Sequence, residues 1–378
     1  MKVGETVEKI EEVTKEVCES LIKPKEKDIE EKGLYIEETL HKLGELGFFS
    51  ASFPKEFGGV GLSFEESVKA SIILSTYTST ISMIIGAHQL ASLSILLFGS
   101  DYLKQKYLTQ LNKGKLIGAF SLTEPHAGSD PSSIKTTAVL KGDYYVLNGT
   151  KAFVTNAGLA DIYVIFAKTN PESGARGISA FVVEGKSEGL AVGHKEEKMA
   201  LPYLPNATVT LKDVLVPKEN LIGRANLGFI VAMKTLELGR ILTAAGAVGL
   251  MERALNESIR YAKERTQGGL PIANYEIIQA YLAEMKTLLE TSREIVLTSA
   301  RKKDLNSPDL GLYSSIAKYY ATKSAVDVTR LATQIFGGYG YVKGYTVERL
   351  YREAKMYEIV EGTNEIQKLI IANQILKG

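Results

Sequence analysis

The hydrophobic period of this chain changes twice, and that change limits the folds open to it. From Val7 to about Gly114 apolar residues recur at helical spacing, punctuated by glycine and proline. Leu40, Leu43 and Leu46-Gly47-Phe48 predict an amphipathic helix that stops near Gly47. Residues 9–21, charged on most faces, predict a solvated helix. Residues 53–61 read as a loop, because Pro54 disfavours helix in the residue before it. Residues 64–77, 80–98 and 101–111 are three further helix candidates, the last with Asp101 as its cap. Near Lys115 the period falls to that of strands. Residues 116–122, 136–140, 144–147, 162–167, 178–183 and 207–211 are short runs rich in β-branched and aromatic side chains. Asn148-Gly149 lies between two such runs and predicts a hairpin turn. From Asn226 the helical period returns in 228–264, 275–303, 309–336 and a shorter tail after Asn364, an expected bundle of four. Ala244-Ala245-Gly246-Ala247-Val248-Gly249 supplies small residues for close helix approach. The chain is therefore expected to be α+β in three parts: an all-α domain over 1–115, an antiparallel β-barrel or sandwich over 116–224, and a C-terminal four-helix bundle over 225–378.

Composition removes several function classes. With 45 basic and 44 acidic residues the net charge is +1, which argues against a nucleic-acid footprint or an electrostatic membrane anchor. Cys18 is the only cysteine, so no internal disulfide can form, as suits a reducing compartment. His41, His88, His126 and His194 have no metal-ligand spacing, and no metal is expected. The N-terminus is rich in Glu and Lys rather than apolar, unlike a signal peptide. The apolar stretch 81–99 contains His88, Gln89 and several serines, which favours a buried helix over a membrane span. A soluble, cytoplasmic protein is expected, a mature mitochondrial form being the alternative.

The segment Tyr357-Glu358-Ile359-Val360-Glu361-Gly362-Thr363-Asn364-Glu365-Ile366-Gln367 carries the clearest chemical signal. Thr363 or Asn364 can cap a helix, and Asn364 with Gln367 approximates a capping box. Glu361 precedes a glycine at that helix mouth, where a carboxylate can serve as a base. By position alone, a surface glutamate beside a helix start is the better reading. The surroundings reverse it. Residues 334–341 (Gln-Ile-Phe-Gly-Gly-Tyr-Gly-Tyr), then Val347 to Lys355, then Glu361-Gly362-Thr363, resemble the C-terminal signature of the acyl-CoA dehydrogenases. Leu122-Thr123-Glu124-Pro125-His126-Ala127-Gly128-Ser129-Asp130 resembles that family's first signature. The two occur in the family's order, and the resemblance covers nearly the whole chain.

That resemblance implies the acyl-CoA dehydrogenase fold and FAD-dependent removal of hydrogen from Cα and Cβ of a short- or medium-chain acyl-CoA. The expected product is a trans-2-enoyl-CoA, with electrons passed to an electron-transfer flavoprotein. It makes Glu361 the base and its backbone N–H a donor to the thioester oxygen, in the manner of an oxyanion hole. Burial should lift the carboxylate towards roughly 6–7. The resemblance assigns FAD contacts to Phe120, Leu122, Thr123, Ser129, Phe153, Val154, Thr155, Thr363 and Glu365. Arg265, Gln334, Ile335, Gly337 and Gly338 would hold the FAD of a neighbouring subunit, in a homotetramer. CoA would meet Ser129, Glu237, Leu238, Gly239, Arg240 and Gly362. Some relatives carry the base at the position of Gly239, which glycine closes here. His88, Leu90, Leu93 and Ser94 are either the floor of the acyl pocket or plain core, and core is the better reading. His126, Gly268, Glu276 and Val360 depart from the family pattern. Two alternatives remain: an oxidase or monooxygenase relative, or a non-enzymatic binding protein on the same fold.

Overall fold

The computed structural model describes residues 10–377. The first part is helical: α1 (Ile10–Val17) continued by a π turn over Cys18–Ile22, α2 (Glu26–Lys32), α3 (Ile36–Leu46), α4 (Phe64–Tyr77), α5 (Ser79–Phe98), and the short α6 (Asp101–Leu103) and α7 (Thr109–Asn112). The expected helix over 9–21 begins outside the described residues. α3 stops where expected: Gly47, left-handed at φ +94°, turns its N–H back onto the carbonyls of Leu43 and Gly44. The cap before Leu103 differs from expectation. Ser100 is in extended conformation and its hydroxyl accepts the Leu103 N–H at 3.3 Å, while Asp101 is already the first helical residue. α5 is long and apolar enough to cross a membrane, with a mean hydropathy of 1.8, yet 67% of that window is buried inside the chain. It is the central helix between the other two parts.

The strands follow: β1 (Gly118–Ser121), β2 (Thr137–Lys141), β3 (Tyr144–Thr155), β4 (Ile162–Lys168), β5 (Ile178–Glu184), β6 (Leu190–Lys195), β7 (Asn206–Pro217) and β8 (Leu221–Ile222). They form one sheet in the order β6-β7-β3-β2-β4-β5-β8, with β1 against β4. Pairing is antiparallel except that β1 and the start of β2 run parallel to β4. Tyr163, Ile165, Phe181, Val183, Val209 and Leu211 point into its core. The hairpin does not turn at Asn148-Gly149. Lys141 pairs with Tyr144, so the turn is Gly142-Asp143, with Gly142 at φ +61°. Asn148-Gly149 is a bulge inside β3, where the register with β7 slips between Leu147 and Gly149. The two residue types have a different use there. Asn148 exchanges two hydrogen bonds with Asp213, and a Cβ at Gly149 would lie 2.3 Å from Thr136 Oγ1.

The last part comprises α8 (Gly228–Glu264), a small ribbon of β9 (Thr266–Gln267) and β10 (Leu270–Pro271), α9 (Glu276–Asp304), α10 (Leu310–Phe336), α11 (Thr346–Tyr357) and α12 (Asn364–Lys377). Two short helices accompany the three long ones, where one was expected. α8 is buried along most of its length against α4, α5, α9 and α10. The small-residue run works as read: a Cβ at Gly246 would sit 2.8 Å from the Tyr357 ring. Tyr357 thereby seats the end of α11 on the middle of α8, and the loop after α11 is delivered to one place.

Candidate active site

That loop, residues 358–363, carries Glu361. Asn364 N–H donates to Glu358 O at 2.9 Å, bringing its ends together. Thr363 is the cap of α12, its hydroxyl accepting the Ile366 N–H at 3.3 Å. The capping box does not form, because both of its side chains are used elsewhere. Asn364 turns inward to Lys318 and Thr322, and Gln367 Nε2 donates to the carbonyls of Gly362 (2.9 Å) and Glu361 (3.4 Å). Glu361 itself sits at φ +54°, followed by Gly362 at φ +93°. A left-handed glutamate costs energy and persists only where its surroundings hold it. Here Gln367 and Asn364 do.

The left-handed turn sends the side chain inward. Glu361 Oε2 is buried and has no hydrogen-bond partner among the described residues. It lies where a side chain at 239 would have to be: a Cβ on Gly239 would come within 2.2 Å of Oε2 and 2.5 Å of Leu90 Cδ2. The glycine that leaves position 239 without a carboxylate thus makes room for the one at 361. Burial pushes the Glu361 carboxyl up to about 7, while the Thr243 hydroxyl and the charges of Arg240 and Lys318 pull it down. Such a group holds and releases a proton at neutral pH. The Glu361 N–H also donates to nothing among the described residues. One residue therefore presents an unused acceptor and an unused donor.

The other expected site residues fall into two sets. Near Glu361 are Gly239, Arg240 and Gly362. Arg240 is only 6% exposed, its Nε is unpaired and its charge faces Glu361. Leu238 is core, and Glu237 turns to Lys234 at 3.0 Å. Across α5, the segments 120–123 and 153–155 are tied to each other: Ala152 N–H donates to Thr123 O at 2.9 Å, and the buried Lys151 reaches Leu122 O and Glu124. Phe153, at φ +54°, holds its ring 62% exposed. Phe120 packs against Phe166, Leu122 and Val154 are core, and Thr155 accepts from Asn206, so those positions offer mainly main chain and edges. Ser129 and Glu365 are exposed, and Thr363 is half-buried.

The second set is remote. Arg265, Ile335, Gly337 and Gly338 line a cleft of about 770 Å³ with Tyr261, Tyr275 and Tyr339. Gln334 is exposed beside it. The Arg265 guanidinium lies 5.6 Å from the Tyr339 ring centre, and a Cβ on Gly337 or Gly338 would meet no atom within 4 Å. Arg265 follows Gly239 by about 26 residues of α8, roughly 39 Å along the axis.

Sequence reasoning missed Lys318 and Thr243, and read Asn364 and Gln367 only as a capping pair. A lysine on the buried face of α10, among Ser314, Ala317, Ala321 and Thr322, was the available signal. His88 is confirmed as core: its Nδ1 accepts the Gly118 N–H, and burial lowers it to about 3. Leu90, by contrast, borders the space beside Gly239 that Glu361 Oε2 also borders.

Three family models match the chain: the acyl-CoA dehydrogenase N-terminal domain over residues 4–115, middle domain over 119–214 and C-terminal domain over 226–376. A short-chain-specific acyl-CoA dehydrogenase of Clostridium acetobutylicum is 40% identical over 98% of each chain. The CarC subunit of the caffeyl-CoA reductase-Etf complex of Acetobacterium woodii is 42% identical over 93% of this chain and 92% of its own. The structure of butyryl-CoA dehydrogenase from Megasphaera elsdenii superposes with a TM-score of 0.95 at 37% identity, covering 98% of both chains.

Proposed function

This chain belongs to the acyl-CoA dehydrogenase family, and on that premise we propose that it dehydrogenates a short- or medium-chain acyl-CoA to the trans-2-enoyl-CoA, with Glu361 as the base. The observation that carries the reading is the buried Oε2 of Glu361, without a partner among the described residues, set beside an N–H of the same residue that is likewise unused among them. The carboxylate takes the proton from Cα. The N–H donates to the thioester oxygen, where charge develops as that proton leaves. Arg240, close behind, favours the ionised carboxylate without bonding to it. Leu90 and the wall of α8 exclude water, which keeps the base poorly solvated and strong.

The residues present fit FAD: Phe153 offers an exposed aromatic face beside the tied segments 120–123 and 153–155, and the remote cleft offers Arg265 with open glycines. Bound FAD supplies the acceptor for the hydride that leaves Cβ. Phe120, Leu122, Thr123, Ser129, Phe153, Val154, Thr155, Thr363 and Glu365 would hold it in one subunit, and Arg265, Gln334, Ile335, Gly337 and Gly338 would reach it from another. The separation of the two sets along α8 supports a homo-oligomer, which we take to be a tetramer. Ser129, Glu237, Leu238, Gly239, Arg240 and Gly362 form the proposed CoA wall. We propose an electron-transfer flavoprotein as partner, a cytoplasmic setting, and domain divisions near residues 115 and 224.

The relative named as a caffeyl-CoA reductase favours a second direction on the same site. By microscopic reversibility Glu361 would then deliver the proton to Cα, and a carboxyl titrating near 7 serves either way. The test is anaerobic titration of the holoenzyme with straight-chain and branched acyl-CoAs from butyryl to palmitoyl. Bleaching of the flavin by the shorter chains supports dehydrogenation. No bleaching by any of them overturns it, and oxygen consumption without an electron-transfer flavoprotein would indicate an oxidase instead.

A further inference from the structure

Lys318 is wholly buried on the inner face of α10 and makes no ion pair among the described residues. Its ammonium donates to Glu358 O at 3.0 Å and to Asn364 Oδ1 at 3.1 Å. Those are the two ends of the loop that carries Glu361. One turn further along α10, the Thr322 hydroxyl donates to the same Asn364 oxygen at 2.9 Å. The loop is thus stapled at both ends to one rigid helix, and the left-handed Glu361 hangs between the staples. A cation removed from water at this cost, with a carbonyl and an amide oxygen as its direct partners among the described residues, needs a use for its charge.

We propose that Lys318 is a positioning residue for the reaction: it clamps loop 358–364 so that the Glu361 carboxyl and N–H keep their places, and its charge favours the ionised base. The inference rests on Glu361 being that base. The charged groups that face Lys318 are Glu361 and Glu358 on the loop, Glu365 on α12 and Arg240 on α8. Of these, Glu361 couples to it most strongly, and burial brings Lys318 itself down to about 8. The clamp survives loss of that proton, because a neutral amine still donates twice. The charge does not.

Two variants separate clamp from charge. Lys318→Met removes both. Asn364→Ala loosens one end and leaves the cation on Glu358 O. Flavin reduction by butyryl-CoA is followed by anaerobic stopped flow from pH 5.5 to 9, with FAD content and melting temperature measured on the same samples. Lys318→Met should lower the limiting rate on the order of 100-fold and move the acid limb of the profile up by about one pH unit. Asn364→Ala should lower the rate and leave the acid limb where it is. If both variants melt earlier yet keep the wild-type rate and acid limb, Lys318 is structural only and the proposal fails. If Lys318→Met does not fold, Asn364→Ala with the wild-type limiting rate overturns the clamp on its own. Glu361→Gln serves as control: if it retains the wild-type rate, the assignment of the base has failed, rather than the role of Lys318.

Discussion

Gly239→Ala adds one methyl group, in a helix, at a position where the structure leaves no room for it. The new carbon would lie 2.2 Å from Glu361 Oε2, 2.5 Å from Leu90 Cδ2 and 3.0 Å from Glu361 Cδ. An ordinary contact is about 3.5 Å, so the carboxylate must retreat by about 1 Å. Both obstructing groups are ends of flexible side chains, so overpacking should fall at the low end of about 1–3 kcal/mol. The better helix propensity of alanine offsets about 1 kcal/mol of that. Stability should hardly change. Catalysis should, because a displacement of that size at the reacting group costs on the order of 100-fold. The assay compares the rate of flavin reduction by butyryl-CoA with FAD content and urea unfolding of the same preparation. A variant that binds FAD, unfolds like wild type and is slowed by two orders of magnitude fits the geometry. One that keeps its rate within threefold would show that the carboxylate does not work from the space beside Gly239.

Three further outcomes follow from the same site and its supports. The rate of flavin reduction should rise with pH through about 7 and fall away below it, since the base must be ionised; a flat profile from pH 5.5 to 8.5 contradicts this. Glu361→Gln should melt higher than wild type at pH 8 and alike at pH 4.5. The folded protein holds that proton more tightly than the unfolded chain, so the advantage of the protonated carboxyl is complete below about 4.5 and lost as pH rises through about 7, on the order of 3 kcal/mol in all. Equal melting temperatures at pH 8 would count against burial of the carboxylate. Lys151→Met should destabilise towards the low end of about 3–5 kcal/mol in urea, because Glu124, 2 % exposed at its side chain, loses its buried cation and keeps only the N–H groups of Lys135 and Thr136 and His126 at 3.6 Å. Adding Glu124→Gln should restore part of that loss, and a double variant no better than the single one would argue against an uncompensated charge.

Much of the architecture was legible because it is a matter of period. Long runs at helical spacing produced α8, α9 and α10 within a residue or two, and β-branched runs marked most strands. α11 escaped because its mean hydropathy is low, with Glu348, Arg349, Arg352 and Glu353 obscuring Val347, Leu350, Ala354 and Tyr357. Asn148-Gly149 misled because the same two residues suit a tight turn and a bulge. What separates the two is the partner strand: Thr136 crowds Gly149 and Asp213 bonds Asn148, and neither is near in sequence.

The site divides in the same way. Position alone favoured a surface glutamate at 361; it was the resemblance carried by the two signatures that singled out Glu361 as the expected base, Gly239 as a position without one, and Arg265 with the glycines after Phe336 as expected ligands. Those signatures are local pattern. That Gly239 is empty space for Glu361, that Lys318 holds both ends of the loop, and that Arg265 lies roughly 39 Å along α8 from Gly239 are relations between segments 26 to 122 residues apart. Such relations come into being only when helices pack, because burial, close approach and the field of a neighbouring charge depend on distance in space and leave no periodic trace in the chain.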